Sequence, residues 1–190
     1  MSKDRLFLIT QNKHKLAELT PLFEEYGVPF ETTDLEKFEI RSHDVEEIAI
    51  AAAKHANGIL NRPVVVDDTG FFVSSLSDFP GSYAAYALQT IGYKGILRLL
   101  DGVDDRSARF VTAVAFCDKN NLKSFIGHMR GTISDAPFGE GGFGYDPIFI
   151  PDGFSRTYAQ LTLSEKVQIS HRTKAFRAFL EWVTSIPENP

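Results

Sequence analysis

Cysteine is almost missing from this chain of 190 residues: Cys117 stands alone, so no internal disulfide can form. Its setting, Val111-Thr112-Ala113-Val114-Ala115-Phe116-Cys117, reads as a buried strand in which the thiol serves as a small hydrophobe. A basic excess is missing too. Against 25 Asp and Glu stand 20 Lys and Arg, a formal net charge of −5, which argues against a broad nucleic-acid surface because duplex binding rests on cations neutralising phosphates. No apolar run is long enough for a membrane span or a signal peptide, since residues 1–5 lead into only about five apolar residues. A cytoplasmic protein without a membrane or nucleic-acid partner is therefore expected. There is no Walker loop G-x-x-x-x-G-K-[ST], no internal repeat and no Pro/Gly/Ser linker, and one domain over 1–190 is the expectation.

What is present is an ordinary globular composition, 43% hydrophobic and 24% charged, with 16 Phe to fill a core. Leu6-Phe7-Leu8-Ile9 is a short apolar run of the kind that forms a strand buried on both faces. Leu16, Leu19, Leu22 and Phe23 then recur at helical spacing, which predicts a helix over 15–26 closed by Gly27. A second strand is predicted over 28–33, a helix over 45–59 ending near Asn57-Gly58, and a buried strand over 63–66 that runs into a turn at Asp67-Asp68-Thr69-Gly70. Helices over 83–91, 95–100 and 170–184 and paired strands over 108–116 and 122–133 complete the reading. Early alternation with a central hairpin favours an α/β fold with a mixed sheet.

Four constellations could carry chemistry. Thr10-Gln11-Asn12-Lys13-His14-Lys15 sits where a strand hands over to a helix N-terminus, a junction that attracts phosphate, although a capped polar loop explains it equally well. Asp67-Asp68 follows the third strand; neighbouring strand side chains point to opposite faces, so at most one aspartate can serve a given site, and a turn cap is the plain alternative. One or two carboxylates near phosphate suit Mg²⁺, and Glu39 is a second carboxylate, equally readable as an outward residue of an edge strand. The segment Gly139-Glu140-Gly141-Gly142-Phe143-Gly144-Tyr145-Asp146-Pro147 permits close backbone approach to a ligand, with Phe143 or Tyr145 available to stack on a flat ring; its spacing is not a dinucleotide fingerprint. In Thr162 to Arg172 the pair Thr162 and Glu165 has capping-box spacing. Lys166 and His171 lie roughly 140° apart on an ideal helix, so Lys166, His171 and Arg172 converge only if the helix breaks near Ser170.

In order and wording these segments resemble the inosine triphosphate pyrophosphatase family along nearly the whole chain. The matching motifs are T-x-N-x-x-K at Thr10 to Lys15, [DE]-D-[ST] at Asp67 to Thr69, G-F-G-Y-D-P at Gly142 to Pro147, and E-K-x-x-x-S-H-R at Glu165 to Arg172. The resemblance implies Mg²⁺-dependent hydrolysis of ITP, dITP or XTP to the monophosphate and pyrophosphate by a homodimer. It also implies an elongated mixed central sheet flanked by helices, with two lobes around an active-site cleft. By position, Thr10, Gln11, Asn12, Lys13, His14 and Lys15 would grip the triphosphate, and Glu39 and Asp68 would hold Mg²⁺, with Asp68 as base beside Lys15. Thr69 would touch substrate, Phe143, Gly144, Tyr145, Asp146 and Lys166 would line the nucleoside side, and His171 and Arg172 would read the purine. Val167 and Ala84-Ala85-Tyr86 depart from the family wording, and Lys54 is matched to a lysine found near the catalytic region of some relatives. A Maf-like enzyme for modified pyrimidine triphosphates and a non-catalytic nucleotide sensor are the rival readings.

Overall fold

The structure, a computed structural model, describes residues 6–186, so residues 1–5, which bear on the reading of a missing signal peptide, lie outside it. The predicted alternation is found, with boundaries moved by the local chemistry at each end. Strand β1 (Leu6–Leu8) leads to helix α1 (Lys13–Glu25) and strand β2 (Phe30–Thr32). Gly27, at φ 63°, ends α1: its N–H donates to Glu24 O, and that of Val28 to Phe23 O, the paired bonds that close a helix through a left-handed residue. Helix α2 (Val45–Leu60) starts on Asp44, whose carboxylate accepts from Glu46 N at 2.8 Å. It passes the expected stop at Gly58 and ends on Asn61 at φ 48°, a residue that tolerates the left-handed region.

The predicted third strand needs the largest correction. β3 runs from Val64 to Val73, so the aspartates lie within a strand and not at its end. Its far half is held by β4 (Pro80–Gly81), with Phe71 opposite Gly81 and Phe72 opposite Pro80, and by burial of Phe71 and Val73. Helices α3 (Ala84–Thr90) and α4 (Gly92–Leu99) follow, then the long strands β5 (Ser107–Cys117) and β6 (Leu122–Ile133). Strand β7 (Phe149–Pro151) and helices α5 (Leu163–Ile169) and α6 (His171–Ser185) complete the chain. The sheet is mixed, in the order β2-β1-β3-β5-β6-β7 with β4 on β3. β1 is parallel to β2 and β3, whereas β3 with β4 and β6 with β7 are antiparallel.

The chain divides into two compact units, each with its own core. The first comprises residues up to Asp68, Thr112–Gly127 and those from Arg172 on; the second comprises Thr69–Val111 and His128–His171. In the first, Leu6, Leu8 and Val65 of the strands meet Leu19 and Phe23 of α1 and Phe176, Phe179 and Leu180 of α6. Each such large apolar side chain contributes about 1.5–3 kcal/mol on burial. The second core gathers Phe71, Ile96, Phe110, Tyr145, Ile148 and Phe149, with Phe110 edge-on to Phe149 at 4.9 Å. Arg106 stitches that unit, donating to Leu100 O, Ile133 O and Ser134 O. Cys117 is buried, and burial pushes its thiol up in pKa, as a structural cysteine requires.

Candidate active site

In the first unit the loop after β1 ends on Asn12, whose side chain caps α1 by accepting from His14 N at 2.9 Å and Lys15 N at 3.3 Å. Thr10 Oγ1 accepts from Asn12 N, and Gln11 Nε2 donates to Asp34 O. Gln11, Asn12, Lys13 and His14 are exposed, Thr10 and Lys15 half-buried. The cap orients the first turn so that Lys15 reaches inward and donates to Asp67 Oδ2 at 2.7 Å. Arg172, buried at the start of α6, places Nε 3.4 Å from the same oxygen and Nη1 2.6 Å from Glu18 Oε2. Lys15, Asp67, Arg172 and Glu18 thus form a line of alternating charge in the protein interior.

Strand alternation sends Asp68 to a different cation. Its Oδ1 accepts from Lys37, whose ammonium also lies 3.0 Å from Glu39 Oε1. Lys37 and Glu39 belong to the segment between β2 and α2, which forms no strand, and the spacing of two in an extended chain puts both side chains on one side. Asp67 Oδ1 and Asp68 Oδ2 are buried without a hydrogen-bond partner among the described residues. Burial alone would raise Asp67, but Lys15 and Arg172 outweigh it and hold the carboxyl at about 2. For Asp68 burial wins over the opposing Lys37, and its pKa lies above the ordinary aspartate value. Burial lowers the pKa of Lys15, with Asp67 opposing and Arg172 reinforcing the shift. One strand therefore offers a firmly ionised carboxylate that anchors a lysine, and a second that is a better proton acceptor than a free aspartate.

Among the described residues no group of three or more His, Cys, Asp or Glu converges on one point. The carboxylates brought together are Glu39 and Asp68, on either side of Lys37 Nζ. Two carboxylates, one with a buried oxygen lacking a partner, fit a hard divalent cation that keeps several waters and takes phosphate oxygens. Lys54 is elsewhere: it is exposed on α2, where its charge acts on Cys117. Lys37 is the lysine that sequence reasoning missed. The signal was available in Lys37-Phe38-Glu39, but nothing local ties that tripeptide to a strand 31 residues on.

The second unit carries the glycine-rich segment, Thr69 and His171. Lys166 Nζ donates to Asp146 Oδ2 at 3.0 Å, and the N–H of Phe143 donates to the same oxygen at 3.3 Å. Gly142, at φ 83°, leaves no room for a Cβ, which would collide with the Asp146 carboxylate and the Lys166 ammonium. Lys166 also lies over the Tyr158 ring, 4.7 Å from its centroid. Of the two candidate stacking rings, Tyr145 belongs to the core: it stacks on Phe71 at 4.5 Å and its hydroxyl donates to Ala84 O. Phe143 is 40% exposed, beside Gly144 at φ 68°. The capping box at α5 is formed in both directions, Thr162 N to Glu165 Oε2 at 2.8 Å and Glu165 N to Thr162 Oγ1 at 3.3 Å. The helix does break at Ser170, with ψ 130°, so Lys166 and His171 lie on separate helices. His171 is buried and stacks on Phe110 at 4.9 Å.

With this geometry in place, the sequence profile of the Ham1 family matches residues 6–182. The chain belongs to the Ham1 family. A Saccharolobus solfataricus relative named dITP/XTP pyrophosphatase is 46% identical over 97% of this chain and 96% of its own length. A Methanopyrus kandleri relative of the same name is 44% identical over 94% and 95%. The solved structure of the Staphylococcus aureus Ham1 protein is 31% identical and superposes with a TM-score of 0.82, covering 95% of this chain and 98% of that one. The Ham1 match extends across both units, so the charged cluster and the glycine-rich segment both fall within the family's span.

Proposed function

We propose that this Ham1 chain hydrolyses non-standard purine nucleoside triphosphates (ITP, dITP and XTP) to the monophosphate and pyrophosphate, removing them from the nucleotide pool. The observation that carries the reading is Asp68, a buried carboxylate of raised pKa with one oxygen lacking a partner, one residue from the aspartate that anchors Lys15. The names of the two relatives support the substrate class. We further read the enzyme as a cytoplasmic homodimer acting on a small-molecule nucleotide, with neither nucleic acid nor membrane as a partner.

Phosphoanhydride cleavage needs charge neutralisation and positioning more than covalent help. Lys15, held in line by Asp67, supplies positive charge to the triphosphate, and Thr10 to His14 contribute polar contacts from the capped loop. Glu39 and Asp68 would hold Mg²⁺, which when bound neutralises phosphate charge and acidifies water. Asp68 orients the attacking water and accepts its proton, a role its burial favours. Thr69 contacts substrate. Phe143 stacks on the base, while the ion pair of Asp146 with Lys166 fixes the turn that includes Gly144 and Tyr145. His171 and Arg172 are assigned to the purine by their place in the family motif. Donors aimed at a 6-keto oxygen would be left unpaired by adenine, which disfavours ATP.

The test is pyrophosphate release from ITP, XTP, dITP, GTP, ATP, UTP and dTTP, with Mg²⁺ and with chelator. Mg²⁺-dependent release from ITP, dITP and XTP, with little from GTP or ATP, is expected. Preference for a pyrimidine would move the reading to a Maf-like activity, and binding without turnover would make the chain a sensor.

A further inference from the structure

Lys37 has no part in the reading above, yet it is the residue that joins the two carboxylates. Its ammonium bridges Glu39 Oε1 and Asp68 Oδ1, with the lysine side chain 19% exposed and that of Asp68 11%. An ammonium held between two carboxylates competes for them with any divalent cation that both would ligate. Both cations cannot be there together, because like charges at that separation repel strongly in a medium less polarisable than water. Lys37 also stands on a segment without strand or helix hydrogen bonding, at the end of a four-carbon stem, so it can withdraw without unfolding anything.

We propose that Lys37 is a tethered counter-cation that holds the Glu39 and Asp68 pair in the ion-free protein and must be displaced for a divalent cation to bind. The inference rests on the reading of Glu39 and Asp68 as metal ligands. In the ion-free state Lys37 spares Asp68 the cost of a buried charge without a partner, and it sets the metal affinity by competition. Removing the lysine therefore tightens metal binding, the opposite of what loss of an ordinary structural contact would do.

The experiment is titration of the chelator-treated full chain with Mn²⁺, a spectroscopically visible substitute for Mg²⁺, following free ion by electron paramagnetic resonance without nucleotide. Wild type is compared with Lys37→Met, Lys37→Gln, Lys37→Arg and Asp68→Asn, each first checked for wild-type circular dichroism. Lys37→Met and Lys37→Gln are expected to bind Mn²⁺ at least about tenfold more tightly, the effect of removing one competing charge at close range. Lys37→Arg, which keeps the charge, stays at or below wild-type affinity. If Asp68→Asn loses binding while neither neutral Lys37 variant gains any, the competition is wrong and the metal site stands. If Asp68→Asn binds as wild type does, both the ligand assignment and the competition fall.

Discussion

Asp67 commits one oxygen to Lys15 at 2.7 Å and approaches Arg172 at 3.4 Å, whereas Asp68 accepts from Lys37 beside Glu39. The two substitutions to asparagine should separate accordingly. Asp68→Asn is expected to lower kcat/KM by about a hundredfold or more, the scale of losing a positioned base, with the melting temperature near wild type. Asp67→Asn leaves a buried lysine and arginine facing a neutral amide, a loss of about 3–5 kcal/mol that lowers Tm by roughly 10 °C. Thermal melts beside kinetics check the pair, and a larger activity loss in a fully stable Asp67→Asn protein would reverse the assignment. The pH dependence has a definite sign. Asp67 is depressed from 3.8 to about 2, so its stabilisation is complete above 3.8 and is lost as pH falls toward 2. That loss amounts to about 2 kcal/mol in wild type. It should be missing from Asp67→Asn in urea unfolding between pH 4 and about 2.

At the scale of elements, the glycine-rich segment works through one position. Gly142 has a positive φ, and its missing Cβ leaves space for the pair of Asp146 and Lys166. Gly142→Ala therefore forces that pair apart, and KM for ITP should rise about tenfold or more, a cost of about 1.4 kcal/mol in binding. Gly102 provides the control, since it has φ 71° but open space around it. Gly102→Ala should cost about 1–2 kcal/mol in stability from backbone strain alone and leave KM unchanged. Equal effects on KM from both would show that backbone strain, and not the ion pair, governs the site. The caps and breaks here were legible because they are local: Asn12, Gly27 and the Thr162 with Glu165 box each act within a few residues. The length of β3 was not, because its second half is held by pairing with β4 and by the second core.

For the whole molecule, each unit is built from separated segments, and β3, β5 and β6 each have residues in both units. Strands that share residues in this way predict one cooperative transition. Trp182, the sole tryptophan, packs on the first core. Phe149→Ala, in the second core, should lose about 3–5 kcal/mol and shift the Trp182 fluorescence midpoint as far as the circular dichroism midpoint. Separate midpoints would show two independent units. Composition, periodicity and caps, which depend on neighbours in the chain, determined the α/β class, the mixed sheet and most elements. The motif order placed the chain in its family, and the opposite facing of Asp67 and Asp68 followed from the two-residue repeat of a strand. Only the tertiary structure decided which cation each aspartate meets, that Tyr145 is a core residue, and that Lys37 stands between Glu39 and Asp68. Those partners are distant in sequence, and charge, unlike hydrophobic periodicity, leaves no local pattern that says where its partner lies.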